Sequence, residues 1–173
     1  MITSGVGLLK RDIARHEVEV SLELADDLPR VIADPVLIEQ VVVNLVRNAC
    51  DAMAGQEGPR RIRIHAEALG HATSGPSVLA MPPVVRVSVS DSGPGLNGQT
   101  VATLCAPFFT TKSDGMGMGL AICRSILELH YGALDASESP SGGAMFAFSL
   151  PTTDNDPHTD TASHTDTDTE NTA

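Results

Sequence analysis

The sequence predicts an α/β sandwich, an α+β fold whose mixed, mostly antiparallel sheet carries helices on one face and leaves the other face more open. Three observations predict it. Several segments alternate apolar and polar residues at the strand period, and the last two are joined by a tight turn, Pro140-Ser141-Gly142-Gly143. One long segment has helical periodicity with an apolar arc wide enough to pack broadly on a sheet. The hydrophobic fraction is 42%, enough for one core, and with no Trp, one Tyr and four Phe that core is mostly aliphatic.

In chain order, residues 1–15 read as a partial helix (Ile2, Val6, Leu9, Ile13) that resembles the end of a longer connection. His16 to Leu24 alternates, with Val18, Val20, Leu22 and Leu24 on one face, and reads as a strand. After an Asp26-Asp27-Leu28-Pro29 turn, Val31 to Ala33 is a candidate short strand. Further strands are expected over Arg60–Leu69 and Val84–Ser90, separated by a Gly-, Ser- and Pro-rich surface insertion. Leu96 to Met118 has weak periodicity and reads as a mobile cover. A helix from about Gly119 to Tyr131, stopped by Gly132, precedes the closing hairpin of Ala133–Ser137 and Ala144–Leu150. From residue 152 the chain turns to Thr, Asp, Ser, His and Asn, a composition that cannot bury enough apolar surface to order itself. The expected division is therefore 1–15, a globular unit 16–151, and an acidic tail 152–173.

The central helix lies between Asp34, an N-cap acceptor followed by Pro35 at the first helical position, and Gly55 beyond Met53. At 100° per residue Leu37, Gln40, Asn44, Asn48 and Asp51 share a narrow stripe, beside an apolar arc of Ile38, Val41, Val42, Leu45, Val46, Ala49, Ala52 and Met53. Two asparagines one turn apart disfavour a helix and are costly if buried without partners. An isolated pair would be a plain polar edge. At the mouth of a pocket, the amide oxygens suit a hard cation and its waters.

Two further motifs favour the pocket. Asp91 stands where a strand enters Ser92-Gly93-Pro94-Gly95. A carboxylate accepts only, so it can receive the exocyclic amine of adenine and would oppose the carbonyl of guanine. Gly93 and Gly95 let backbone approach a flat base. Then Gly115-Met116-Gly117-Met118-Gly119 opens a helix, whose unsatisfied N–H groups and dipole suit an anion such as a triphosphate. Lys112 is a candidate cation there, a surface lysine being the competing reading. Gly93 to Gly98 also fits a dinucleotide fingerprint formally, but no helix follows the third glycine.

Taken in order, Asn44-x-x-x-Asn48-Ala49, Asp91-x-Gly93-x-Gly95, Pro107-Phe108-Phe109 and Gly115-x-Gly117-x-Gly119-Leu120 resemble the N, G1, F and G2 boxes of sensor histidine kinases. Those are the ATP-binding catalytic domains of two-component systems, within the superfamily of gyrase, heat-shock chaperone and mismatch-repair ATPases. The resemblance covers about residues 1–151. It implies Mg²⁺ and ATP as cofactors, with Asn48 as metal ligand and Asn44 beside it at the phosphates. It also implies Asp91 as the adenine acid, and an ATP lid in which Phe108, Thr110, Thr111, Lys112, Gly115, Gly117, Gly119 and Leu120 take part. The ATPase branches place a glutamate four residues before the metal asparagine. Asn44 occupies that place and cannot take a proton, so transfer to histidine fits better than hydrolysis. The implied partners are a histidine-bearing dimerisation domain and a response regulator. A non-catalytic nucleotide-binding module and an ATP-hydrolysing member are the alternatives.

The remaining composition narrows the field. Net charge is −11, but six acids and no Lys or Arg lie beyond residue 151, leaving −5 on the rest, with no basic stripe for nucleic acid. No run is long enough to span a bilayer and no signal-peptide pattern opens the chain. Cys50, Cys105 and Cys123 form no disulfide framework. These features imply a cytoplasmic protein, or the cytoplasmic part of a larger sensor. None of His16, His65, His71, His130, His158 and His164 reads as the phosphate acceptor. His16-Glu17 copies the start of that motif but heads a strand.

Overall fold

A computed structural model describes residues 1–70, 83–110, 116–140 and 142–153. Its core layer is a five-stranded sheet in the order β1-β2-β3-β5-β4. β1 (Val18–Leu24) runs parallel to β2 (Arg60–Leu69), and this pair needs a crossover, supplied by α3 (Pro35–Ala52). β3 (Val84–Asp91) is antiparallel to β2, β5 (Ala144–Pro151) to β3, and β4 (Ala133–Glu138) to β5. The mixed sheet is thus the one expected. Ile62, Ile64 and Ala66 of β2 and Val85, Val87 and Val89 of β3 are buried, while Arg61 and Arg63 stand exposed on the opposite face.

α3 begins as its cap predicts: Asp34 Oδ1 accepts from the N–H groups of Val36 and Leu37 at 2.8 and 3.2 Å. Its buried face is Ile38, Val41, Val42, Leu45, Val46, Ala49 and Cys50, and Met53 just beyond is fully buried. Ala52, expected in that arc, is exposed in the last turn.

Several expectations are corrected. The N-terminal helix is two, α1 (Ile2–Leu8) and α2 (Lys10–Arg15), broken at Leu9, which is buried. The break lets α1 lie against α3, so close that a Cβ on Gly5 would stand 3.2 Å from Val42 Cγ1, while α2 leads into β1. Leu22 and Leu24 share the core-facing side of β1 but are 41% and 37% exposed. β1 is an edge strand, and the helix packed on it is the short α2. Val31 to Ala33 forms a single bridge, Val31 to Thr152, rather than a strand. The cover contains a one-turn helix, α4 (Val101–Leu104), capped by Thr100 Oγ1 accepting from the Thr103 N–H.

α5 (Gly119–Leu129) ends two residues sooner than the sequence suggests. Tyr131 takes the left-handed position at φ 55°, its N–H bonds Glu128 O, and the Gly132 N–H bonds Leu127 O, a Schellman closure. Gly132 is needed for another reason: a Cβ there would collide with the Ser149 carbonyl of β5. His130 ties the two main helices together, its Nδ1 on Ile126 O at 2.7 Å and its Nε2 accepting the Asp34 N–H at 3.0 Å. Thr152 and Thr153, expected in the tail, are still bonded to the fold, Thr152 N–H to Pro83 O and Thr153 N–H to Arg30 O.

Candidate functional site

Asp91 ends β3 and is 4% exposed. Its Oδ1 accepts the Gly93 N–H at 2.8 Å and the Ala144 N–H at 3.1 Å, so one carboxylate oxygen clasps its own turn to the start of β5. Burial pushes its pKa up; the two N–H groups oppose that, and the nearby Glu138 charge adds to it. A Cβ on Gly143 would collide with the Asp91 carbonyl and Oδ1, so the second glycine of the hairpin is part of this site. Sequence reasoning read it only as part of a turn.

The turn after Asp91 lies against the end of α3: a Cβ on Gly93 would stand 2.9 Å from Asp91 Oδ1 and 3.4 Å from Met53 Cγ. Ser92 is held from behind. Its Oγ accepts the Arg61 N–H at 3.0 Å, and its carbonyl accepts Gln56 Nε2 at 2.9 Å. Gly95, at φ 79°, abuts the carboxylate of Glu138, which also accepts the Leu96 N–H. Glu138, at the end of β4, was missed because nothing in its local sequence marks it.

Asn44 and Asn48 are half-buried on α3, which packs against α5. The Asn44 side chain hydrogen-bonds the Cys123 thiol of α5, which is fully buried and 4.0 Å from Val41 O. Burial pushes this thiol to about 11, so it stays protonated and structural. Sequence reasoning gave Cys123 no part in the site.

The cover and the opening of α5 meet backbone to backbone. The Phe108 N–H donates to Gly117 O at 3.1 Å, and a Cβ on Gly117 would lie 2.6 Å from the Phe108 carbonyl carbon. Phe108 itself is at φ 67° and 75% exposed. Thr110 is exposed and Leu120 packs half-buried against the core. Space is open around Gly119, the first residue of α5, and the N-cap Met118 offers no side-chain acceptor to the first-turn N–H groups. Thr111, Lys112 and Gly115 lie outside the described residues. α3 thus carries the asparagine pair, meets the Asp91 turn at its C-terminal end and packs against α5. The site offers a buried acceptor-only carboxylate, neutral amides and a helix N-terminus suited to an anion.

Residues 33–154 match the family model described as histidine kinase-, DNA gyrase B-, and HSP90-like ATPase. Among curated proteins, the chain is 43% identical over 136 residues to the C4-dicarboxylate transport sensor protein DctS of Rhodobacter capsulatus, covering 79% of this chain and 19% of that one. It is 43% identical over 138 residues to the sensor protein FixL of Bradyrhizobium diazoefficiens, covering 80% and 25%. The chain therefore spans a quarter or less of the length of these relatives. Among solved structures, the nucleotide-free catalytic domain of histidine kinase ThkA aligns with a TM-score of 0.68 at 31% identity, covering 87% of this chain and 91% of that one. ThkA in complex with response regulator protein TrrA aligns at 0.66 and 31%, covering 88% and 39%. The chain belongs to the histidine kinase-, DNA gyrase B- and HSP90-like ATPase family.

Proposed function

We propose that this chain is the ATP-binding catalytic domain of a sensor histidine kinase, holding Mg–ATP for phosphoryl transfer to a histidine on a separate dimerisation domain. The observation that carries the reading is the buried Asp91 beside α3, with one oxygen committed to two backbone N–H groups. We assign its other oxygen to the exocyclic amine of adenine. The likeness to the ThkA catalytic domain, over most of both chains, supports the same reading.

The donor set fits a hard, water-keeping cation: two neutral amides one helical turn apart, with the nucleotide phosphates supplying the negative charge. Asn48 would hold the ion and Asn44 stand beside it, its amide braced by Cys123. Bound Mg²⁺ would supply charge neutralisation at the phosphates. The opening of α5 would receive phosphate oxygens, with Lys112 as an added cation. A neutral imidazole needs no base beside the metal, so Asn44 in the place of a water-activating glutamate costs this reaction nothing. Rate then comes from positioning and charge neutralisation.

In the division we propose, residues 1–15 end a helical connection and residues 16–153 form the nucleotide-binding unit, two residues longer than the sequence indicates. The acceptor domain, a response regulator like the one in the ThkA complex, and a cytoplasmic location belong to this proposal. No described helix is long and apolar enough to cross a membrane.

Calorimetry with ATP and Mg²⁺ tests binding, and Asn48→Ala is expected to abolish its Mg²⁺ dependence with the melting profile preserved. Labelled ATP supplied with a histidine-bearing hairpin domain should give acid-labile phosphohistidine. Steady phosphate release by the chain alone, or binding with no transfer, would overturn the kinase assignment.

A further inference from the structure

The turn from Gly93 to Leu96 is held at both ends by carboxylates from different strands. At its start, Asp91 Oδ1 accepts the Gly93 N–H at 2.8 Å. At its finish, both oxygens of Glu138 lie within reach of the Leu96 N–H, at 3.1 and 3.3 Å. Glu138 is the last residue of β4 and pairs with Ala144, whose own N–H goes to Asp91. The two carboxylates therefore sit on a shared strand end, with the Gly-Pro-Gly turn stretched between them. A carboxylate accepting a backbone N–H makes one of the stronger hydrogen bonds available.

The close contact at Gly95 has the same origin. A Cβ there would collide with Glu138 Oε2, so the missing side chain makes room for this carboxylate, whatever else the glycine allows. Leu96 is buried, so an unbonded N–H at that place would carry a desolvation cost. A second acidic side chain so near Asp91 is unfavourable electrostatically. Its bond to Leu96 gives it a reason to be there.

We propose that Glu138 is a positioning residue for nucleotide: by accepting the Leu96 amide it sets the shape of the Gly93–Leu96 turn beside Asp91, and so the base end of the site. This rests on the adenine-binding reading of Asp91, while the contact itself is independent of it.

The test uses the full chain with two readouts, hydrogen exchange at the Leu96 amide without nucleotide and calorimetric affinity for ATP and ADP with Mg²⁺. Glu138→Ala is expected to speed Leu96 exchange at least about tenfold and to weaken ATP and ADP alike by about fivefold or more. Melting should shift by only a few degrees. Glu138→Gln keeps an acceptor and is expected to recover most of both properties. Glu138→Asp keeps the charge but withdraws the acceptor by one methylene, and should repeat the losses if the alanine variant folds poorly. Unchanged Leu96 exchange in the Ala and Asp variants overturns the latch. Faster exchange with unchanged nucleotide affinity, or a loss confined to ATP, overturns its role at the base end. Wild-type protein that binds neither nucleotide would sink the functional reading instead, and the exchange measurement would still judge the contact.

Discussion

Asp91 shows how much chemistry a single buried acid can carry. Its folded pKa is raised, chiefly by burial, so the ionised form weakens the fold. The sign follows: its contribution to stability is fully present below the unfolded value and is lost as pH rises through the folded value. Asp91→Asn cannot ionise and still offers an oxygen to Gly93 and Ala144. Thermal melts across pH should show the variant gaining on wild type as pH rises from the unfolded carboxyl value through the raised folded one. If Asp91 receives the adenine amine as proposed, the same variant places a donor opposite that amine, and its ATP affinity should fall by about tenfold or more, a loss of at least ~1.4 kcal/mol. A stability difference between the two proteins that does not change with pH, together with unimpaired ATP binding, would refute both statements. The sequence disclosed Asp91 and the asparagine pair because each sits in a short local motif. It hid Glu138 and Ala144, which reach the site from 42 and 53 residues away. Cys123 was hidden differently: it satisfies a helical core pattern whether or not an asparagine leans on it.

Among the elements, α3 was legible end to end because cap, proline, apolar arc and stop agree. A core truncation there such as Leu45→Ala, fully buried against the sheet, should cost about 2–5 kcal/mol in denaturant melts. The break at Leu9 was not legible, since the apolar spacing continues through it and the bend answers to Val42 across the interface. Nor was α4, a single turn too short to show a period. The leucines of β1 misled because alternation reports which face a residue takes, not whether a helix covers that face. The ending of β5 was also misjudged by composition, since Thr152 and Thr153 are held by backbone N–H groups that any residue has, with their hydroxyls donating to the same two carbonyls. Ending the chain after Pro151 removes those bonds, while ending it after Thr153 keeps them. The shorter form should be less stable by about 1–2 kcal/mol, lowering the melting temperature by roughly 2–8 °C relative to the longer one. Equal melting of the two would show that these bonds contribute nothing.

For the whole molecule, the class of sheet could be read but its strand order could not, because alternation does not say which strand sits beside which. The insertion of β5 between β3 and β4 puts Gly143 of the hairpin against Asp91. Nucleotide binding should therefore be felt across the entire fold. At ATP about a hundredfold above its dissociation constant, linkage adds about 2.7 kcal/mol, a rise of roughly 5–11 °C in the melting temperature. That rise should require Mg²⁺ and disappear in Asn48→Ala. The late position of β5 has one more consequence. A nascent chain that has not yet delivered Ala144 already owns both asparagines, Asp91 and most of the helical layer, yet Asp91 is then held only to its own turn, at Gly93. If the proposed function holds, competence for nucleotide would wait for β5, and a ribosome stalled before Ala144 would display a domain that cannot yet be charged.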